Sequence, residues 1–222
     1  MNRTFLSFIV LFGGMVFLLS TPCLMNAAQQ PDPTEQLRPF MDRIVSILTD
    51  PELKGDENCI QRREEVMKVA SERFDFNEMS KRVLGKEWRT LNDEERKHFV
   101  ALFKKLLEHA YIGKIEDYSK QKVVFKDQRI KDDRAQVMTD VVDKDVIISV
   151  SYIMLLDGSL WKVYDIVVEG VSLVRNYMEQ FKEILRKDGY STLLKQVEDK
   201  VSELEQGIGK PSPVDKTEKN DA

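Results

Sequence analysis

A chain of 222 residues with 34 Lys+Arg against 38 Asp+Glu has a net charge of −4. That balance argues against a nucleic-acid binder, which needs clustered cations to meet phosphates. Residues from about 33 to 206 suit one domain, large enough to bury a core and leave room for a cavity.

The N-terminus, residues 1–28, reads as a secretory signal. Arg3 supplies a short basic region, and Phe5 to Leu19 is apolar apart from Ser7, Gly13 and Gly14. The run is shorter than the roughly 20 apolar residues of a comfortable membrane helix. Ala27 and Ala28 are the candidate cleavage positions, and an uncleaved anchor is the alternative reading. Cys23 raises a lipoprotein, but Pro22 before it is wrong for a lipobox. Cleavage would remove Arg3 and no acid, leaving 33 basic against 38 acidic residues and a net charge of −5. Cys59 would then be the one cysteine left, unable to form an internal disulfide, and it reads as a buried structural thiol.

The first half is helical by periodicity. Leu37, Met41, Ile44, Val45 and Leu48 recur at helical spacing, with Pro39 early in the pattern and Pro51 after its end. A weaker segment runs from about Glu57 to Glu72. Asp75 then offers an N-cap with Glu78 three residues on, and Phe74 and Met79 hold the positions of a hydrophobic staple. Gly85 is a C-cap candidate. Asn92 with Glu95 repeats the start signal before an amphipathic helix bearing Phe99, Leu102, Phe103, Leu106, Leu107, Ala110 and Tyr111.

The period changes at Val123. Segments Val123 to Ile130, Ala135 to Val142, Val146 to Leu156 and Leu160 to Val168 are rich in β-branched and aromatic residues. Their short gaps, including Asp157-Gly158, imply an antiparallel four-stranded meander. Gly170 marks a sharp turn after the last strand, and Ser172 can cap a helix carrying Val174, Tyr177, Met178, Phe181, Ile184 and Leu185. Gly189 ends it, and Leu193 to Leu204 form a last helix. The tail from Gly207 to Ala222 has little to bury and reads as disordered. Helices, a meander and helices again give an α+β fold with helices packed on a sheet.

No catalytic or metal-binding pattern appears. His98 and His109 share a helix side but lie about 16 Å apart along its axis, so they read as surface residues. No serine sits in a nucleophile elbow, and no glycine-rich phosphate loop is present. Asp165 and Glu169, about 13 Å apart along a strand, are too distant for paired carboxylate chemistry, and Asp165 reads as a hydrogen-bonded structural group. The chain implies no cofactor and no enzyme activity.

The third and fourth strands are apolar on both faces. Val150, Tyr152, Met154 and Leu156 alternate with Ser149, Ser151, Ile153 and Leu155. Trp161, Val163 and Val167 share one face by simple alternation, with Tyr164, Ile166 and Val168 on the other. Either helices cover both faces or one face lines a ligand cavity; the pattern leaves both open.

Two stretches carry a resemblance. One is Phe74-Asp75-Phe76-Asn77-Glu78-Met79 with Leu84-Gly85-Lys86-Glu87-Trp88-Arg89. The other is Trp161-Lys162-Val163-Tyr164-Asp165 with Glu169-Gly170-Val171-Ser172-Leu173 and Asn176-Tyr177. In order and spacing, together with Phe99, Phe103 and Tyr111, the chain from about residue 35 to 190 resembles the periplasmic phospholipid carriers of the Mla lipid-transport pathway, the toluene-tolerance family. The resemblance implies helices and sheet around an apolar lipid cavity, and a periplasmic shuttle. Its partners would be an inner-membrane ABC transporter complex with its substrate-domain ring and an outer-membrane lipoprotein–porin complex. The expected cavity wall is Phe103, Leu107 and Tyr111 from the long helix, Val150, Tyr152, Met154, Trp161, Val163 and Val167 from the hairpin, and Val174 and Tyr177 from the helix after it. A small secreted enzyme with an apolar pocket and an adaptor that binds no lipid are the alternative readings.

Overall fold

The computed structural model describes residues 30–55, 58–116, 121–144 and 146–206. The predicted signal, the tail from Gly207 and the Cys59 side chain lie outside the described residues.

Helix α1 (Pro33–Thr49) starts where Asp32 accepts the Glu35 N–H at 2.9 Å, with Pro33 supplying a preset φ in the first turn. Its Leu37, Phe40 and Leu48 are buried, and Pro39 lies within it rather than before it. Helix α2 spans Cys59–Arg73. Helix α3 (Phe76–Leu84) is capped by Asp75, which accepts the Glu78 N–H at 2.8 Å. The reciprocal half of the expected box is absent. The Asp75 N–H instead donates to the Val163 carbonyl at 2.8 Å, tying the start of α3 to the sheet. The Glu78 carboxylate is left to pair with Lys81 at 3.0 Å and Arg82 at 2.7 Å. Helix α4 (Asp93–Glu116) has the full reciprocal cap between Asn92 and Glu95, at 2.8 and 3.0 Å.

The sheet is an antiparallel meander of β1 (Lys122–Lys131), β2 (Arg134–Asp143), β3 (Val146–Asp157), β4 (Leu160–Val168) and a two-residue β5 (Val171–Ser172). The expected four strands are present, and β5 adds a fifth. It forms because Glu169 (φ 50°) and Gly170 (φ 82°) make a two-residue turn in which both residues are left-handed, the geometry that matches strand twist. Helix α5 (Leu173–Glu205) follows, capped by Ser172 accepting the Arg175 N–H at 3.0 Å. Gly189 (φ 78°, ψ 178°) interrupts it, dividing the segment where the sequence places a helix end.

Helices cover both sheet faces. α1 and α2 pack on the side carrying Ala135, Val137, Val150, Tyr152, Met154, Trp161 and Val163. α3, α4 and α5 pack on the side carrying Tyr164, Ile153 and Leu155. This explains why the β3–β4 hairpin is apolar on both faces.

A β-bulge corrects the expected alternation in β4. Met154 pairs with Val163 but Ile153 pairs with Asp165, so Tyr164 is the extra residue. Beyond it parity reverses. Ile166 joins Trp161 and Val163 on the α1–α2 side, and Val167, opposite Ser151, falls on the α5 side.

Candidate functional site

The eleven expected wall residues do not form one surface. Val150, Tyr152, Met154, Trp161 and Val163 belong to the layer under α1 and α2. Phe103, Leu107, Val174 and Tyr177 belong to the layer between the sheet and α3–α5, with Tyr111 packed against them. Val167 joins this second side through the bulge. Alternation assigns residues to faces but does not say which helix covers which face, so it does not separate these two layers.

The α1–α2 layer is tied shut by polar bonds as well as packing. The Trp161 indole is fully buried and its Nε1–H donates to the Pro31 carbonyl at 2.6 Å. The Trp161 backbone N–H donates to the Gln36 side chain at 2.9 Å. Val163, also fully buried, carries the carbonyl that accepts from Asp75.

The second layer is rich in rings. Phe103 meets Tyr177 edge-on at 5.3 Å and Phe181 at 6.0 Å, and it stacks on Phe99 at 5.9 Å. Tyr177 lies 5.6 Å from Phe181. Such contacts contribute about 0.5–1.5 kcal/mol each beyond the area they bury. Two phenols also belong to this layer: Tyr177 is buried within it and Tyr111 packs against it. Burial pushes both phenols above the ordinary tyrosine range, Tyr177 further because it is the more enclosed.

Asp165 fixes where α5 begins. One carboxylate oxygen accepts the Val174 N–H at 2.9 Å, and the other accepts the Ser172 hydroxyl. The carboxylate is thus a buried anchor for the helix N-terminus, where the macrodipole also favours negative charge. This is the structural role that its apolar strand context suggests. His98 and Glu198 bridge α4 and α5 at 3.0 Å, while His109 approaches Glu205 at 3.6 Å with its side chain largely covered. The two imidazoles engage different partners; His98 is exposed as expected, and His109 is not.

The model of the family described as MlaC protein matches residues 38–199, most of the chain. The chain belongs to the MlaC family. A relative from Haemophilus influenzae, the intermembrane phospholipid transport system binding protein MlaC, is 26% identical over 128 residues. That alignment covers 55% of this chain and 60% of the relative. The solved phospholipid-binding protein from Ralstonia solanacearum, in complex with a phospholipid, has the same fold. It superposes with a TM-score of 0.73 over 79% of this chain and 99% of that one, at 23% identity.

Within this MlaC-family fold, two open grooves lie on the helical surface. One, of about 590 Å³, runs between α3 and α4 past Phe76, Trp88, Arg96 and Lys104. The other, of about 400 Å³, runs between α4 and α5 past Glu95, His98, Tyr190 and Glu198. Burial together with Glu95, Glu198 and Glu87 pushes the Tyr190 phenol up to about 12. Neither groove contains a residue of the expected wall. At the far end of the sheet, Val146, Ile147, Ile148, Val168 and Val171 are exposed apolar residues on neighbouring strands. The β-branched run in β3 signals a strand but not which of its residues escape cover. Among the described residues, no helix is long and apolar enough to cross a membrane, and no three His, Cys, Asp or Glu groups are placed to hold a metal.

Proposed function

We propose that this protein is a phospholipid carrier of the bacterial periplasm, holding lipid acyl chains in the ring-lined layer between the sheet and helices α4 and α5. The observation that carries the reading is family membership over residues 38–199, on a fold shared with a protein solved around a phospholipid. The walls of the proposed site are Phe103, Leu107, Tyr111, Val167, Val174 and Tyr177.

The physics of the task suits this interior. Each methylene brought into water costs about 0.8 kcal/mol, so a two-chain lipid does not cross an aqueous gap unaided. Shielding the chains removes most of that barrier without covalent chemistry, so the reading requires no nucleophile and no cofactor. Release requires another state to be favoured, which docking to a membrane complex would supply. The partners that fit are an inner-membrane ABC transporter complex with its substrate-domain ring and an outer-membrane lipoprotein–porin complex. Moving phospholipid between them would maintain outer-membrane lipid asymmetry.

Native mass spectrometry and organic extraction of the purified chain test this. Co-purifying phospholipid, or uptake of labelled phospholipid from vesicles, is the expected result. A lipid-free chain that also takes up no labelled lipid would remove the reading.

A further inference from the structure

Packing explains only part of the stretch from Phe74 to Arg89. Met79, Val83 and Leu84 are buried and Asp75 ties α3 to the sheet, but Phe76 and Trp88 stay half-buried. Both line the groove of about 590 Å³ between α3 and α4. From α4 the groove takes Asp93, Arg96, Lys97, Val100 and Lys104, which recur every three to four residues along one side of the helix.

The lining charges are three cations against one acid. Arg96 pairs with Asp93 at 3.2 Å and Lys97 with Glu94 at 3.0 Å, but those acid side chains are 85% and 84% exposed, so both pairs are loose and easily exchanged. Lys104 has no carboxylate partner among the described residues, and its ammonium sits 5.6 Å from the centre of the Phe76 ring. Lys86 and Arg89, exposed on either side of Trp88 in sequence, have none either. Arg96 is held in place: its Nε–H donates to the Trp88 carbonyl at 3.1 Å, and its guanidinium lies 5.6 Å from the centre of the Trp88 ring. On a chain of net charge −4, this groove is a local positive site lined with rings.

Concavity separates two kinds of anionic partner. A flat bilayer would meet the outer cations and leave Phe76 and Trp88 uncovered, whereas a protruding segment reaches the rings between the helices. Its carboxylates would replace the exposed Asp93 and Glu94 as partners of the cations, and an apolar side chain would cover the rings. We propose that the α3–α4 groove docks an acidic protein segment, with carboxylates on Arg96, Lys97 and Lys104 flanking an apolar side chain against Phe76 and Trp88. None of these residues belongs to the proposed lipid wall, so the docking site stands or falls apart from the carrier reading.

The chain has two tryptophans and Trp161 is fully buried, so a change in emission on docking reports Trp88. The probe is a synthetic helical peptide carrying Glu residues around a central pair of Leu on one face, with a Lys-for-Glu peptide as control. The acidic peptide should shift the emission saturably at sub-millimolar concentration, and raising salt from about 0.05 to about 0.3 M should weaken it several-fold. The variant K97E/K104E, with an unchanged melting curve, should weaken it about ten-fold or more, and K97Q/K104Q takes its place if the reversal does not fold. No shift with the acidic peptide, an equal response to the Lys peptide, or binding unmoved by salt and by the folded variant would each overturn the proposal. A shift that survives in W88F would overturn it too, since the ring would then not be the contact. Vesicles of phosphatidylglycerol that shift Trp88 without competition from the peptide would overturn it in favour of a membrane surface.

Discussion

Asp165 offers a graded test of how α5 is held. The carboxylate is 8% exposed and serves two donors, the Val174 N–H at 2.9 Å and the Ser172 hydroxyl. Asp165→Asn keeps an acceptor for Val174 and turns an amide N–H₂ towards Ser172 Oγ, which already accepts the Arg175 N–H. Charge assistance is lost but the contacts persist, so the expected cost is about 1 kcal/mol. Asp165→Ala removes both acceptors. It leaves a buried Val174 N–H without a partner, a penalty of about 1–3 kcal/mol, and forfeits the helix-terminus charge, about 0.3–1 kcal/mol more. The sum is about 1–4 kcal/mol, or roughly 3–16 °C in melting temperature for a domain of this size. Thermal unfolding followed by circular dichroism at neutral pH should rank wild type above Asn above Ala. An Ala variant melting with the wild type would refute the anchoring argument, and equal losses for Asn and Ala would refute the division between charge and contact.

Charges placed in the two apolar layers should act differently. Val163→Glu puts an unpaired carboxylate at a fully buried position under α1 and α2, and loss of the cooperative melting transition is expected. Tyr111→Glu stands at a half-buried rim, so a folded chain with much reduced lipid uptake is expected, read by vesicle transfer of labelled phospholipid. Gly170→Val tests the β4–β5 turn. Added side-chain atoms meet nothing within 4 Å of the Cβ, so only the left-handed backbone at φ 82° resists, at about 1–2 kcal/mol. Melting temperature and lipid uptake should fall in step, and a disproportionate loss of uptake would instead tie the turn to the spacing of the walls. Alkaline stability gives a further check. The phenols of Tyr111, Tyr177 and Tyr190 titrate higher when folded than when unfolded, so their contribution is intact below about pH 10 and is lost as pH rises through the folded values. Denaturant unfolding should therefore weaken above pH 10, and Tyr177→Phe should flatten that decline; an unchanged slope would refute the assignment.

Much of the architecture is legible from residue patterns because local physics dictates it. All four long strands fall within a residue of their expected ends, since period-two β-branched runs broken by Asp, Lys and Gly allow few other readings. The starts of α3, α4 and α5 follow from Asp75, Asn92 and Ser172, each with a side chain that accepts an orphan helix N–H. Two features were not legible. The bulge at Tyr164 lies in a strand with no Gly or Pro to mark it, yet it moves Val167 to the opposite face. The division of the wall residues into two layers depends on which face each helix covers. That is decided by long-range ties such as Asp75 to Val163 and Trp161 to Pro31, separated by 88 and 130 positions, and no local pattern encodes them.

The proposed carrier role places a constraint on the ring-lined layer that an ordinary core does not face. It must exist both closed and filled without a large free-energy gap between the two. Rings suit this, because Phe103, Tyr177 and Phe181 lose contacts with one another only to regain them with a chain, and the apolar area withheld from water changes little. The α1–α2 layer could not make the same exchange cheaply. Opening it would break the Trp161, Gln36 and Asp75 hydrogen bonds and strand their partners, at about 1–3 kcal/mol for each group left buried and unpaired. The α5 layer also has a buried polar tie, Asp165 to Ser172 and Val174, but it lies at one end of the helix, so the rest of that layer can yield more easily. This difference is independent of any ligand: hydrogen exchange of the lipid-free chain should be faster at amides of α5 before Gly189 than at amides of α1 beside Trp161, and the reverse order would argue that chains enter under α1 instead.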